Sequence, residues 1–110
     1  MPVVLLVRIR TALDPDELAR RASERRSLFE AVPGLLQKIY IRNEATGEVG
    51  GLYFFESREH LAAFRDSELA RSIPAAYEAT DVRPEVFDVM VTLRPEAGPF
   101  PPDPAAKPAM

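Results

Sequence analysis

The sequence lacks several residue types that carry chemistry in other proteins. Its 110 residues include no cysteine, no tryptophan and a single histidine, His60. Without cysteine there are no disulfides, thiolate metal sites or cysteine nucleophiles, and the redox compartment stays undetermined. One histidine cannot supply an iron site of two histidines and one carboxylate within one chain. We therefore expect no metal site, and we expect His60, near the start of a helix, to face solvent.

The sequence also lacks an excess of positive charge and long apolar runs. The net charge is −3, which does not favour a general electrostatic attraction to nucleic acid or to an anionic membrane. No run approaches the roughly 18 apolar residues of a membrane-spanning helix. The N-terminal apolar run follows no basic region, so it predicts a strand and not a signal peptide. We expect no nucleic-acid partner, no membrane association and a cytoplasmic location.

Glycine-rich cofactor motifs are missing as well. Gly47, Gly50 and Gly51 fall in a predicted hairpin and do not follow a strand in the manner of a dinucleotide fingerprint. The sequence therefore predicts no cofactor, and Gly50-Gly51 indicates a bulge or a close backbone approach.

The clearest feature present is a hairpin within residues 32–57. Leu35–Arg42 and Gly50–Phe55 are rich in aliphatic and aromatic residues and predict two strands. Between them, Asn43–Gly47 suits a turn, since asparagine and glycine tolerate turn geometry. Pro33-Gly34 ends the preceding element.

The segment before the hairpin predicts a strand and then a helix. Val3–Arg10 alternates in the manner of a strand, with Val3, Leu5, Val7 and Ile9 on one face. Asp14 suits a helix N-cap, with Pro15 at the first helical position and Glu17 closing a capping box. The helix is predicted to run to about Ala31. Its apolar stripe is Leu18, Ala22, Phe29 and Val32.

Arg25 interrupts this apolar stripe. Its stem could pack on the core while the guanidinium reaches water. Alternatively, the guanidinium points into a cavity beneath the helix.

After the hairpin, Ser57 is predicted to cap a second helix that is interrupted at residues 66–68. Pro74 either ends this helix or restarts a short turn through Tyr77. Residues 81–84 predict a loop, and Glu85–Leu93 predicts the fourth strand. We expect a single domain over residues 1–94 and a proline-rich, extended or disordered tail over residues 95–110.

The order β-α-β-β-α-β predicts a ferredoxin-like α+β fold with a four-stranded antiparallel sheet. Two helices can cover only one face of that sheet, yet the strands are apolar on both faces. A second copy packed on the uncovered face closes it, so we expect a homodimer.

Three segments carry a family resemblance. They are Pro33–Lys38, Gly50–Phe55 and Val86–Val89. With this spacing the chain resembles the YdhR-like putative mono-oxygenases of the dimeric α/β-barrel superfamily, which also contains the antibiotic-biosynthesis mono-oxygenases, over residues 3–93. The resemblance implies a dimer with facing sheets and a pocket between sheet and helices. Haem-degrading members rely on a tryptophan and a histidine; here Phe55 and Phe64-Arg65 stand at those positions, which argues against haem breakdown.

Two functions remain open. The resemblance implies a cofactor-independent mono-oxygenase that acts on a small aromatic or polyketide-like substrate. The residues alone favour a non-catalytic dimeric module that binds a small aromatic molecule, because no acid–base pair is evident. No catalytic residue is assigned. The candidate substrate-binding residues are Arg25, Phe29, Lys38, Tyr40, Tyr53, Phe55, Phe64, Arg65 and Phe87.

The site is expected near the junction of the third strand and the second helix, with Phe55 and Phe64 as opposite walls. The alternative for these aromatic residues is an ordinary core position, and for Lys38 an exposed one.

Overall fold

The computed structural model describes residues 2–93, which form one four-stranded antiparallel sheet and four helices. The elements in chain order are β1 (Val3–Thr11), α1 (Pro15–Glu24), α2 (Arg26–Glu30), β2 (Leu35–Arg42), β3 (Val49–Phe55), α3 (Arg58–Arg65), α4 (Glu68–Ala76) and β4 (Ala79–Asp88). The strand order is β2-β3-β1-β4. The predicted ferredoxin-like fold is confirmed, with each predicted helix divided into two. None of the helices in residues 2–93 is long and apolar enough to cross a membrane.

The first helix begins as predicted and ends early. The Asp14 side chain accepts a hydrogen bond from the Glu17 backbone N–H at 2.9 Å. The Glu17 carboxylate accepts hydrogen bonds from Arg20 and Arg21. In a capping box this carboxylate would instead accept from the backbone N–H of Asp14. The prediction of one helix to Ala31 is wrong, because the backbone turns out of helical geometry at Arg25 (φ −92°, ψ 0°).

The second helix is interrupted where predicted. Ser57 and Ser67 cap α3 and α4, each accepting from the backbone N–H three residues on. Pro74 does not end α4, which continues to Ala76. Because proline has no N–H, the helix lacks the hydrogen bond that residue 74 would otherwise donate to the Ala70 carbonyl.

The predicted boundaries of the fourth strand are wrong. Residues 81–84, predicted as a loop, belong to β4, and the strand ends at Asp88. β4 pairs with β1 from Thr11 opposite Ala79 to Val3 opposite Asp88, so the start of β1 sets its end. Pro84 is tolerated because β4 lies at the sheet edge. The predicted tail, residues 95–110, lies outside the described residues.

The core lies between the helices and one face of the sheet. The predicted face of β1 is buried there. The buried cluster contains Val3, Leu5, Val7, Ile9, Phe29, Tyr53, Phe55, Leu61, Phe64, Ile73 and Tyr77.

The opposite face of the sheet, here called the outer face, is largely apolar. Strand pairing brings together on it Val4, Leu6, Ile39, Ile41, Leu52, Phe54 and Phe87. Phe87 is 45% exposed and Ile41 is 41% exposed. The described helices pack against the core face, so among residues 2–93 no helix covers the outer face.

Candidate functional site

A cavity of about 880 Å³ lies between α1 and the core face of the sheet, on the side of β2. Its lining includes Leu18, Ala22, Phe29, Lys38, Tyr40 and Tyr53. Pockets for small molecules commonly span about 300–1,000 Å³ and combine apolar walls with a few polar groups. This cavity has the size and composition of such a pocket.

The absence of a side chain at Gly51 in β3 lets the side chains of Tyr53 and Lys38 pack over the backbone at the cavity. A β-carbon at Gly51 would lie 2.9 Å from Tyr53 Cε1 and 3.4 Å from Lys38 Cε. At Gly50 it would lie 2.7 Å from the Val7 carbonyl oxygen. The expected close backbone approach at Gly50-Gly51 is therefore present, and the missing side chain at Gly51 leaves room for those of Tyr53 and Lys38.

Lys38 is the central polar group of the site. It lies opposite Tyr53 in the β2–β3 pairing, on the core face. Its Nζ is 3.3 Å from the ring centroid of Phe29, 4.3 Å from that of Tyr40 and 4.6 Å from that of Tyr53. The amine is buried and has no hydrogen-bond partner among residues 2–93.

This environment changes the proton affinity of Lys38. Burial, and secondarily the positive charge of Arg25, lowers the pKa of Lys38 from 10.5 to about 7. The loss of water disfavours the charged ammonium, and a nearby cation repels it. A substantial share of this amine is therefore unprotonated at neutral pH.

Arg25 lies at the break between α1 and α2, and its guanidinium points inward. Nη2 donates to Ser72 Oγ at 2.7 Å, while Nε is buried without a hydrogen-bond partner in the described part of the chain. The guanidinium carbon is 5.9 Å from the ring centroids of both Phe29 and Tyr77. The guanidinium packs on Ser72 and two rings, and Arg25 is not among the residues that line the cavity, so neither alternative for Arg25 describes it fully. Lys38 and Arg25 thus place two cationic groups beside the Phe29 ring.

The tyrosines around the site are held in their neutral form. Burial raises the pKa of Tyr53 and of Tyr40 above the ordinary value of 10. Tyr77 Oη is also buried, and it lies close enough to Tyr40 to contribute to the raised pKa of that tyrosine. Neutral phenols can donate a hydrogen bond to an oxygen atom of a ligand.

The structure brings part of the predicted set together. Phe29, Lys38, Tyr40 and Tyr53 line the cavity, and Arg25 contacts Phe29. The alternative for Lys38 was an exposed position, but its amine is buried. Tyr77, which also lines the cavity, was missing from the set; its spacing of four residues from Ile73 could have placed both on one helix face.

Other predicted residues lie elsewhere. Phe55 and Phe64 pack on each other with ring centroids 5.4 Å apart and are 0% and 4% exposed. They fill the expected space at the β3–α3 junction and do not form opposite walls of it. Arg65 is exposed at the end of α3. Phe87 lies on the outer face, since it pairs with Val4.

His60 does not simply face solvent as expected. It is half-buried, its Nδ1 is 2.8 Å from Ser57 Oγ, and its ring covers Gly34. Residues 2–93 contain no cluster of three or more histidine, cysteine, aspartate or glutamate side chains able to hold a metal ion.

A family comparison identifies the kind of protein. The sequence model of the family described as "Putative mono-oxygenase ydhR" matches residues 7–95. The chain belongs to this family. No curated protein matches it.

Solved structures share the fold at low sequence identity. SnoaB from Streptomyces nogalater, described as a cofactor-independent oxygenase, is 14% identical, with a TM-score of 0.68 over 86% of this chain and 98% of its own. The haem degrader MhuD from Mycobacterium tuberculosis is 23% identical, with a TM-score of 0.69 over 84% and 99%. A dimeric ferredoxin-like protein of unknown function from Thermobifida fusca is 14% identical, with a TM-score of 0.63 over 81% and 92%.

Proposed function

We propose that this protein is a cofactor-independent mono-oxygenase that oxidises an acidic CH₂ group of a small aromatic or polyketide-like substrate. The observation that carries the proposal is the Lys38 amine, which sits in an aromatic enclosure at the cavity without a hydrogen-bond partner. Family membership and the likeness to a cofactor-independent oxygenase support the same reaction class.

Lys38 acts as the base. Its Nζ is covered by the three rings, so it must rotate toward the substrate, which the flexible lysine stem allows. A base with a pKa near the working pH combines a sizeable unprotonated fraction with a useful proton affinity. After taking the proton, the ammonium and Arg25 stabilise the substrate enolate or phenolate through their positive charges.

The anion then reduces O₂ without a further reductant. Its electrons form a carbon–oxygen bond and give a peroxide anion, which becomes a hydroperoxide when the Lys38 ammonium returns the proton that it removed. Loss of water from the hydroperoxide leaves a carbonyl. The sum is CH₂ plus O₂ giving C=O plus H₂O, so one oxygen atom enters the product and the other leaves as water. Phe29 and Tyr53 give the cavity an aromatic wall next to Lys38.

Oxygen uptake with an anthrone, whose CH₂ group is acidic, tests the proposal. We expect uptake of one O₂ per anthrone consumed, with a fall in kcat/KM of at least about 100-fold in Lys38→Met, as expected for a lost general base. The matched control is Lys107→Met, which removes the other lysine of the sequence and should retain full activity. Equal activity of wild type and Lys38→Met would overturn the role of Lys38. Binding of the anthrone to this cavity without oxygen uptake would instead favour the non-catalytic binding module.

We also propose that the working form is a homodimer joined through the outer face. The support is the apolar character of Ile39, Ile41, Leu52, Phe54 and Phe87 on that face. An apolar surface that crosses several strands is favourable to bury and marks an association site. A two-fold arrangement uses the same surface on both copies.

A further inference from the structure

The Lys38 amine has a chemical capacity beyond that of a base. An amine that is desolvated and placed beside another cation is activated as a nucleophile toward carbonyl groups. Lys38 meets both conditions, since its Nζ is buried among three rings and Arg25 lowers its proton affinity. The adjoining cavity has room for an aromatic ligand.

The charges around the site indicate the charge of the ligand that it would bind. Arg25 has a buried Nε without a hydrogen-bond partner in residues 2–93, and its guanidinium is positioned by Ser72. No salt bridge within residues 2–93 involves Arg25 or Lys38 at 4.0 Å or less. Lys38 lines the cavity, and Arg25 adjoins it through the Phe29 wall. The Glu30 carboxylate in the lining is paired with Arg26. The unpaired positive charge of Arg25, beside a largely apolar cavity, favours an anionic aromatic ligand.

We propose that Lys38 captures an aromatic aldehyde or ketone that carries a carboxylate, and holds it as an imine with the carboxylate toward Arg25. The amine lone pair forms the carbon–nitrogen bond while the carbonyl π electrons move to oxygen. A proton passes from nitrogen to that oxygen and gives a carbinolamine. The second N–H proton passes through solvent to the hydroxyl group, which leaves as water while the nitrogen lone pair forms the C=N bond. Tyr53, kept neutral by burial, can donate a hydrogen bond to the departing oxygen. The step consumes neither O₂ nor a reductant, so it does not depend on the proposed oxygenase reaction.

The sequence offers an internal control for this proposal. It contains only two lysines, Lys38 and Lys107, the second outside the described residues. An ordinary lysine is unprotonated to about one part in 2,500 at pH 7, whereas an amine with a pKa near 7 is about half unprotonated. A carbonyl reagent should therefore distinguish the two within one wild-type molecule.

The experiment traps the imine of 4-carboxybenzaldehyde with cyanoborohydride at pH 7 in the absence of oxygen. Peptide mass spectrometry follows Lys38, Lys107 and the N-terminal amine separately. We expect Lys38 to be modified at least about tenfold faster than Lys107, and we expect this preference to vanish in concentrated urea, where the cavity is lost. Equal rates in the folded protein would overturn the proposal. A preference that persists in urea would also overturn it, since local sequence would then be the cause.

The part played by Arg25 is tested by a ratio. In wild type, 4-carboxybenzaldehyde should react with Lys38 faster than benzaldehyde does. Arg25→Gln should lower the ratio of the two rates by at least about threefold, and the ratio cancels any change in the proton affinity of Lys38. An unchanged ratio would overturn the proposed carboxylate contact. Imine trapping at Lys38 without oxygen uptake in the presence of anthrone would support the capture site and contradict the oxygenase. Oxygen uptake without imine trapping would support the oxygenase and contradict the capture site.

Discussion

The aromatic cluster has two ends that differ in their neighbours, although all four of its rings are almost completely buried. At one end, Phe55 and Phe64 pack on each other and do not line the cavity. At the other end, Phe29 and Tyr53 turn toward Lys38 and the cavity. Tyr53 belongs to both, since its ring also contacts Phe64 at 5.3 Å. The packed rings of Phe55 and Phe64 support the rings of Phe29 and Tyr53, which line the cavity. Stability and ligand binding therefore depend on neighbouring parts of one cluster.

The largest expected effect is at the packed end. Phe64→Ala should destabilise the fold by about 3–5 kcal/mol, because it removes a buried ring from a dense core. Tyr40→Ala should cost much less, since Tyr40 lines the cavity and is 48% exposed. Urea unfolding of both variants measures the two costs. Similar costs would remove the distinction between the packed end and the cavity end.

A charge on the outer face should have the next largest effect. Leu6 is only 9% exposed within one chain, so a charge there would disturb the monomer too. Phe87, at 45% exposed, gives a cleaner test. Phe87→Asp should raise the dissociation constant of the dimer by about 100-fold, because the carboxylate would be buried unpaired. Sedimentation equilibrium measures it, with Leu28→Asp on α2 as the control; a wild type that sediments as a monomer would refute the dimer.

The fold was predictable because its signals are local. Asp14, Ser57 and Ser67 cap helices through their own side chains, and strand alternation identifies the core face of β1. The ends of β4 depend on its pairing with β1, and the local sequence of a strand does not reveal its partner. Residues 81–84 were therefore mistaken for a loop.

The site was only partly predictable for a related reason. An aromatic residue in a strand looks the same whether it fills a core or lines a cavity. Phe55 and Tyr53 share a strand face but have different surroundings, which helix placement decides. Likewise, the burial of Lys38 depends on Phe29 from another element.

A smaller effect concerns the stability cost of Lys38. Its pKa is about 7 in the folded chain and near 10.4 when unfolded. The unfolded chain therefore binds more protons between these values, so this group's contribution to stability rises with pH across that window. Below pH 7 its full penalty is present. Lys38→Met should raise the free energy of unfolding at pH 6 by about 1 kcal/mol or more, with little change above pH 10.5. Denaturant unfolding at several pH values measures this gain, and a loss of stability at pH 6 would contradict the buried-amine interpretation.

The smallest expected effect is a shift in the pH dependence of oxidation. If the free amine of Lys38 is the base, kcat/KM for anthrone should rise about tenfold per pH unit below pH 7 and level off above it. Arg25 is the second cause of the low pKa, after burial, so Arg25→Gln should move the midpoint upward by less than about one unit. Arg71→Gln, which changes an exposed arginine on α4 outside the cavity lining, should leave the midpoint unchanged. A profile that falls above pH 7 would show that the ammonium is the active form, and would assign Lys38 to anion binding instead of proton abstraction.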